Sequence, residues 1–372
     1  MGCAQRIVLV IGSLGGGGAE RVLVDLANYL VSVDRDVAVL TIVSGDEDVY
    51  ELDGRVMRLR IDIRRDSKNL AGSVIRELSG LRRIRSAIWS FRPDTVVSFI
   101  DQTNIRVTAA LLATGIPLFV SERVHPGYHS IGRVWGVARW LLYRFATAVV
   151  VQTHEIADWT TKNIPSRCVV TIPNAVRAER FGTKAKHSPR EMAGSLVLGI
   201  GRLTHQKGFD LLIQAFDQAE LPSAGWRLVI LGEGPDRANL QSLINQLGLR
   251  DSVIMPGFAP DVAAWLRRCD IFVLSSRFEG FPNALLEAMQ TGCPAISFDC
   301  PSGPRDLISS GDNGILLPQQ DVDALAEAIR TLATDPTTRT RLGATATAVS
   351  ERFSPQRVYG MWLDLIDSPS LR

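Results

Sequence analysis

The stretch IFVLSSRFEGFPNALLEAM, residues 271–289, reads in turn as a strand, a loop and a helix. Ile271 to Ser276 is short, apolar and β-branched, the composition of a strand buried on both faces. Pro282 suits the first position of a helix, and Gly292, followed by Cys293 and Pro294, ends that helix just past Gln290. Glu279 therefore falls in a strand-to-helix loop, and Glu287 inside the helix. In an open parallel sheet such loops gather at the carboxyl ends of the strands, where ligands bind. The first N–H groups of the helix, those of Asn283, Ala284 and Leu285, make an end that attracts anions. On these residues alone, two readings stay open: a ligand site, or a capped helix with two solvated glutamates.

Outward from this unit the same alternation runs through the 372 residues, a length that calls for two cores. Strands are expected at Arg6 to Ile11, Val37 to Val43, Thr95 to Phe99, Leu118 to Ser121 and Ala148 to Val151. After Ile172-Pro173-Asn174 the chain turns polar and irregular. The pattern restarts with strands at Leu196 to Ile200, Arg227 to Leu231, Val253 to Met255, Ile271 to Ser276, Ala295 to Phe298 and Gly314 to Leu317. Strands alternating with helices give α/β architecture with doubly wound parallel sheets. The expected division is a Rossmann-like domain over 1–176, a linker over 177–194, a second Rossmann-like domain over 195–352, and a tail over 353–372. The apolar helix of that tail, Val358 to Ile366, is expected to pack back on the first domain.

Composition narrows the function. A net charge of +2 gives no case for a nucleic-acid binder. The charge is uneven, however: residues 1–180 carry 23 basic and 18 acidic side chains, and the remainder 18 and 21. Cys3, Cys168, Cys269, Cys293 and Cys300 are odd in number and form no C-x-x-C pair, so neither a disulfide framework nor a zinc site is expected, and a reducing cytoplasm fits. No apolar run approaches a membrane span, and the N-terminus enters a strand without a signal-peptide pattern.

Two further loops lie at the carboxyl edges of the expected sheets. GSLGGGGAER, residues 12–21, occupies the place of a dinucleotide loop, but fits G-x-G-x-x-G/A in no register. The strand after it ends in Thr41-Ile42-Val43, without the acidic residue that a ribose needs, so a nicotinamide enzyme is disfavoured. Its glycines allow a ligand close to the backbone or simply make a flexible turn. GRLTHQKGFD, residues 201–210, is not a P-loop, yet it sets Arg202 and Lys207 at the carboxyl edge of the second sheet, where two cations suit a diphosphate or are simply solvated surface charges.

Together GGAER, GRLTHQKG, the Glu-x7-Glu segment 279–287 and SFDCPSGPRDLI (297–308) resemble the retaining family 4 (group 1) glycosyltransferases of the GT-B fold. The likeness spans nearly the whole chain, and PSGPRD is similar to members that build bacterial surface polysaccharides. It implies two Rossmann-like domains facing across a cleft, with a nucleotide-sugar donor held by the second and an acceptor by the first. By that resemblance Arg202 and Lys207 would hold the donor diphosphate and stabilise its growing charge. Glu287 would bind the ribose, Glu279 the sugar, and the N–H groups of Asn283, Ala284 and Leu285 the phosphate or sugar, with Gly280 and Phe281 in the same loop. His125, in SERVHPG, would be the sugar-side histidine; Gly17 and Gly18 would approach the diphosphate, and Gly257 and Phe258 the base. Asp306 stands where many relatives carry a glutamate.

No metal or other cofactor is expected. Of the three D-x-D matches, Asp34-x-Asp36 precedes a strand at the wrong edge, Asp321-x-Asp323 reads as a helix cap, and Asp46-x-Asp48 reads as a solvated acidic loop. The resemblance implies retaining transfer on one face, through an oxocarbenium-like ion pair, in place of the covalent intermediate of retaining hydrolases. Two basic-aromatic helical stretches, Leu70 to Phe91 and Ile131 to Phe145, fit either packing with a solvated basic side or contact with anionic lipid. The expected donor is a nucleotide diphosphate sugar, UDP-linked, and the expected acceptor a glycolipid or a polyprenyl-diphosphate-linked sugar. The enzyme is then a hexosyltransferase, cytoplasmic and peripheral on the inner face of the membrane. Two rivals share the fold: a nucleotide-sugar epimerase, which would turn over donor alone, and a non-catalytic nucleotide-sugar-binding protein.

Overall fold

A computed structural model describes residues 5–15, 17–43, 48–63, 70–176, 194–259 and 261–368, without the side chains of 70–75. The chain forms two compact units, Met1–Ala175 with Gln356–Arg372, and Val176–Pro355. Most of the expected linker, 177–193, lies outside the described residues.

The first unit is a seven-stranded parallel sheet in the order β3-β2-β1-β4-β5-β6-β7. Its strands are β1 (Arg6–Ile11), β2 (Asp36–Thr41), β3 (Met57–Arg60), β4 (Thr95–Phe99), β5 (Leu118–Ser121), β6 (Ala148–Val151) and β7 (Val169–Thr171). Between them run α1 (Gly18–Ser32), α2 (Leu70–Phe91), α3 (Asp101–Ala110), α4 (Arg133–Leu142) and α5 (His154–Asn163). Successive strand residues point to opposite faces, so Ile7, Leu9 and Ile11 pack under α1 while Val8 and Val10 pack under α2 and α3. Both faces are covered, which is why the strands read as unbroken apolar runs. The edge strands β3 and β7 are absent from the sequence reading. MRLR is polar and half exposed and VVT is only three residues long, so neither carries a buried-strand signal.

The C-terminal helix, Pro355–Asp367, belongs to this first unit. Trp362 is fully buried, its ring 5.9 Å from that of Phe99, and Arg35 reaches Asp367 at 2.6 Å.

The second unit is a six-stranded parallel sheet, β10-β9-β8-β11-β12-β13. The strands are β8 (Leu196–Ile200), β9 (Arg227–Leu231), β10 (Val253–Gly257), β11 (Ile271–Leu274), β12 (Ala295–Phe298) and β13 (Ile315–Leu317). Helices α6 (Phe209–Gln218), α7 (Arg237–Gln246), α8 (Val262–Arg268) and α9 (Asn283–Gln290) follow β8 to β11 in turn. Strand order switches sides between β1 and β4 in one unit and between β8 and β11 in the other. Loops leaving those strand pairs diverge, and the crevice between them is where open α/β sheets bind ligands.

The cysteine count gives no expectation of a disulfide, and here the structure corrects it: Cys269 and Cys293 are bonded. They precede β11 and β12, which are hydrogen-bonded neighbours, so parallel pairing brings together two residues 24 apart in sequence. Cys168 and Cys300 are free.

Candidate active site

In the second unit the loop after β8 and the loop after β11 lock together at the switch point. Gly208 adopts φ +61°, and a Cβ built on it would lie 2.1 Å from the Ser275 carbonyl oxygen, so only glycine lets the two backbones meet. Ser275 Oγ donates to the Lys207 carbonyl at 3.0 Å, and the Arg277 N–H to the Gln206 carbonyl at 2.7 Å. The Arg277 guanidinium binds both Asp210 oxygens at 2.9 and 2.6 Å, holding that carboxyl below its usual range, and the His205 carbonyl at 2.7 Å. Burial opposes that lowering. The loop after β12 braces the same place: Pro301 accepts from the Glu279 N–H at 3.1 Å, and Ser302 Oγ donates to the Gly280 carbonyl at 3.0 Å.

The result is a fixed ion pair between two of the sequence-predicted residues. Lys207 Nζ lies 2.6 Å from Glu279 Oε1, which also accepts from Ser276 Oγ at 2.6 Å. Glu279 is buried, and its Oε2 has no partner among the described residues. Arg202 differs: it is exposed, and its guanidinium makes no hydrogen bond or ion pair among the described residues. Sequence reading missed Ser276, Arg277 and Asp210, although all stand within or beside the quoted motifs. Arg277 and Asp210 pair across 67 residues, which spacing does not reveal, and Ser276 bonds Glu279 only three residues away, through a loop turn that composition does not specify.

Helix α9 begins one residue later than expected. Pro282 is its N-cap, not its first residue, because the Asn283 N–H turns back to the Phe281 carbonyl at 3.0 Å. Asn283 is thereby removed from the expected trio of free donors; the N–H groups of Ala284 and Leu285 remain without a partner among the described residues. The side chains of Phe281 and Leu285 are core, the former against Phe353, so a ligand meets only backbone there. Glu287 is half-buried one turn into the helix. Gly257 ends β10 at φ +93°, where a Cβ would come 2.6 Å from Glu233 Oε1, and the Phe258 ring after it is exposed.

In the first unit Gly17 caps α1 and Gly18 opens it. His125 is buried in the loop after β5. Its Nδ1 accepts from the Gly127 N–H at 3.1 Å, so the ring proton sits on Nε2, and burial keeps its pKa below the usual value despite Glu155. Tyr128 and Trp159 meet the ring edge-on. Arg123, also buried, joins three strand ends: it donates to Asn174 Oδ1 and to Ser121 Oγ at 3.3 Å, and lies over Phe99. Burial lowers its pKa to about 9.

Of the acidic pairs, Asp48 binds Arg58 at 3.0 and 3.1 Å and Arg60 at 2.8 Å, which holds its carboxyl below the usual range; Asp46 lies outside the described residues. Asp36 pairs with Arg6, Asp34 sits in a left-handed turn, and Asp321 caps a helix through the Ala324 N–H at 2.9 Å.

Glu122, beside Arg123, has a distinct chemistry. Desolvation raises its pKa to about 7, against the pull of Arg139 at 3.8 Å and of Tyr143, whose hydroxyl donates to it at 2.5 Å. An acid with a raised folded-state pKa binds more protons folded than unfolded between its two pKa values. Stability is therefore expected to fall as pH rises from about 4.5 to about 7, by up to roughly 3 kcal/mol, and no further above that. Glu122→Gln should flatten this part of the profile, and equal urea-denaturation slopes with pH in both proteins would exclude it.

Two family models match the chain: "Glycosyl transferases group 1" over residues 183–349 and "Glycosyl transferase 4-like domain" over 17–175. The chain belongs to the group 1 glycosyltransferases, in a GT-B fold of two Rossmann-like domains. It is 27% identical over 364 residues, 97% of its length and 98% of the relative's, to a Campylobacter jejuni α-1,4-N-acetyl-D-galactosaminyltransferase named for a diNAcBac-PP-undecaprenol-linked GalNAc acceptor. It is 34% identical over 221 residues to an exopolysaccharide phosphotransferase of Streptomyces coelicolor, of which it spans only 23%. Among solved structures, Anabaena HepE with UDP and glucose superposes with TM-score 0.79 over 98% of this chain and all of the other, at 20% identity.

Proposed function

We propose that the enzyme is a retaining hexosyltransferase of family 4, moving a hexose or N-acetylhexosamine from a UDP-sugar to a lipid-linked, lipopolysaccharide or exopolysaccharide acceptor at the inner face of the cytoplasmic membrane. The observation that carries this reading is the Lys207–Glu279 pair, set on the same switch-point loops as the free Arg202 guanidinium and followed by the open N–H groups of α9. Cations and helix dipole suit a diphosphate whose charge grows as its bond to the sugar breaks. Glu279 Oε2 is left to accept from a sugar hydroxyl, and Glu287 is assigned to the ribose. With Oε1 already held by Lys207 and Ser276, Glu279 suits positioning better than nucleophilic attack. In this reading the bond from C1 to the departing phosphate breaks, C1 bonds the acceptor oxygen on the same face, and the phosphate takes the acceptor's proton. His125, whose ring proton sits on Nε2, keeps in this proposal the sugar-side role that the family resemblance implies. The Campylobacter relative's name supports a polyprenyl-diphosphate acceptor. No metal is assigned, since Arg202 and Lys207 supply positive charge and Asp48 is already committed to two arginines.

A thermal-shift screen of nucleotide sugars, followed by transfer onto polyprenyl-diphosphate-linked sugars, tests this. Transfer should survive EDTA, and Glu287→Gln should weaken UDP by roughly 1 to 3 kcal/mol with or without an attached sugar. Loss of activity in EDTA with recovery in Mg²⁺ or Mn²⁺ would reject metal independence; turnover of donor without acceptor would indicate an epimerase.

A further inference from the structure

The two basic-aromatic helices look alike in sequence, and the structure distinguishes them by how much apolar surface each leaves outside. In α2, Ile84, Ile88 and Phe91 are buried, and the outer face mixes Arg82, Arg83 and Arg85 with two exposed apolar side chains, Leu78 and Trp89. Helix α4 leaves the larger apolar face outside. Val134, Val137, Trp140 and Leu141, with Phe145 just beyond, are 47% to 80% exposed and share one face with Arg133 and Arg144. Its inward face holds Trp135, Ala138 and Leu142 on the core, and Arg139 buried against Glu122.

Beside the end of α4 is a pocket of about 390 Å³, lined by Trp140, Lys162, Asn163, Ser166, Arg167 and Cys168, among others. The Lys162 and Arg167 side chains make no hydrogen bond or ion pair among the described residues. Trp140 belongs both to the pocket and to the apolar face, and Arg144 lies 5.0 Å over its ring. Five apolar side chains rimmed by four cations are the composition of a surface that lies in the headgroup–acyl boundary of an anionic bilayer.

We propose that α4 is the membrane-docking element: its outer face enters the bilayer, and the neighbouring pocket takes the phosphate of a phospholipid headgroup between Lys162 and Arg167. The proposal rests on the membrane-surface reading above and gives it an address. Ten helical residues span about 15 Å, so a helix lying in the membrane plane joins the docked face to the loop 122–132, which carries His125 and runs directly into α4.

Sedimentation with vesicles tests this without requiring catalysis. The full chain should bind phosphatidylcholine vesicles containing phosphatidylglycerol, less so at high salt. Val134→Ser/Val137→Ser/Leu141→Ser should lose binding by roughly a hundredfold on the area removed. Lys162→Glu/Arg167→Glu should lose roughly tenfold or more on vesicles with phosphatidylglycerol and little on phosphatidylcholine alone. Both variants should keep UDP binding, because they change exposed side chains outside the donor loops. Wild-type binding in the triple variant, or no binding by the parent, would overturn the docking face. An unchanged preference for phosphatidylglycerol in the double variant would overturn the pocket. Lost transfer with intact vesicle binding would instead count against the proposed reaction.

Discussion

Lys207→Ala is expected to abolish most transfer and also to lower the stability of the Val176–Pro355 unit. The ammonium lies 2.6 Å from Glu279 Oε1, and the two side chains are 19% and 6% exposed. Removing the cation leaves a buried carboxylate with only the Ser276 hydroxyl. Breaking a buried pair in this way costs about 3 to 5 kcal/mol, and the partial exposure of Lys207 sets the lower figure. UDP should also bind more weakly, by roughly 1.5 to 3 kcal/mol, if a charge-assisted bond to phosphate is lost. Glu279→Gln behaves differently. Both hydrogen bonds to Oε1 can persist and the cation stays, so UDP binding should hold while kcat and kcat/KM fall together, the mark of an interaction made in the transition state. The double variant Lys207→Met/Glu279→Gln removes both charges, and should regain much of the stability without regaining activity. A denaturant titration, a UDP titration and a transfer assay on the three proteins check this; near-wild-type transfer in Lys207→Ala would remove the pair from the mechanism.

What the sequence made legible follows from which signals are local. Strand β11, the loop holding Glu279 and the helix holding Glu287 are contiguous, so their order and edge of the sheet could be read from composition and punctuation. The edge strands MRLR and VVT could not, because half-exposed strands need no apolar run. The Cys269–Cys293 bond was hidden because it depends on β11 lying beside β12, a fact of topology. The Lys207–Glu279 pair lies between these cases. Both residues stand out in their motifs, yet each reads as a ligand contact, since nothing in GRLTHQKG or RFEGF states that the two loops interlock. Arg277 and Asp210 make that lock across 67 positions. The α4 face shows the same limit in another form: periodicity marks a helix with apolar and basic residues, but which stripe is left outside depends on the sheet beneath it.

The lock itself gives the sharpest test, because two glycines share a backbone conformation and differ in their surroundings. Gly208 has φ +61° and Gly225 has φ +79°, both in the left-handed region that alanine enters at a cost of roughly 1 to 2 kcal/mol. Around Gly225 a Cβ would meet nothing within 4 Å. Gly225→Ala should therefore lose about that much stability and leave kcat/KM unchanged. At Gly208 the added Cβ would stand 2.1 Å from the Ser275 carbonyl oxygen, and backbone must move by more than about an ångström to restore an ordinary contact. The displaced segment carries Lys207 on one side and leads into Ser276 and Glu279 on the other, so the 2.6 Å pair cannot survive in its present form. A misplacement of about 1 Å in a positioning group costs roughly a hundredfold in rate, and Gly208→Ala should show a loss of that order in kcat/KM beyond its loss of stability. UDP should bind more weakly as well, since Lys207 leaves its place. Matched transfer kinetics in the two alanine variants would mean that the interlocked loops do not position the reaction, whatever their stability.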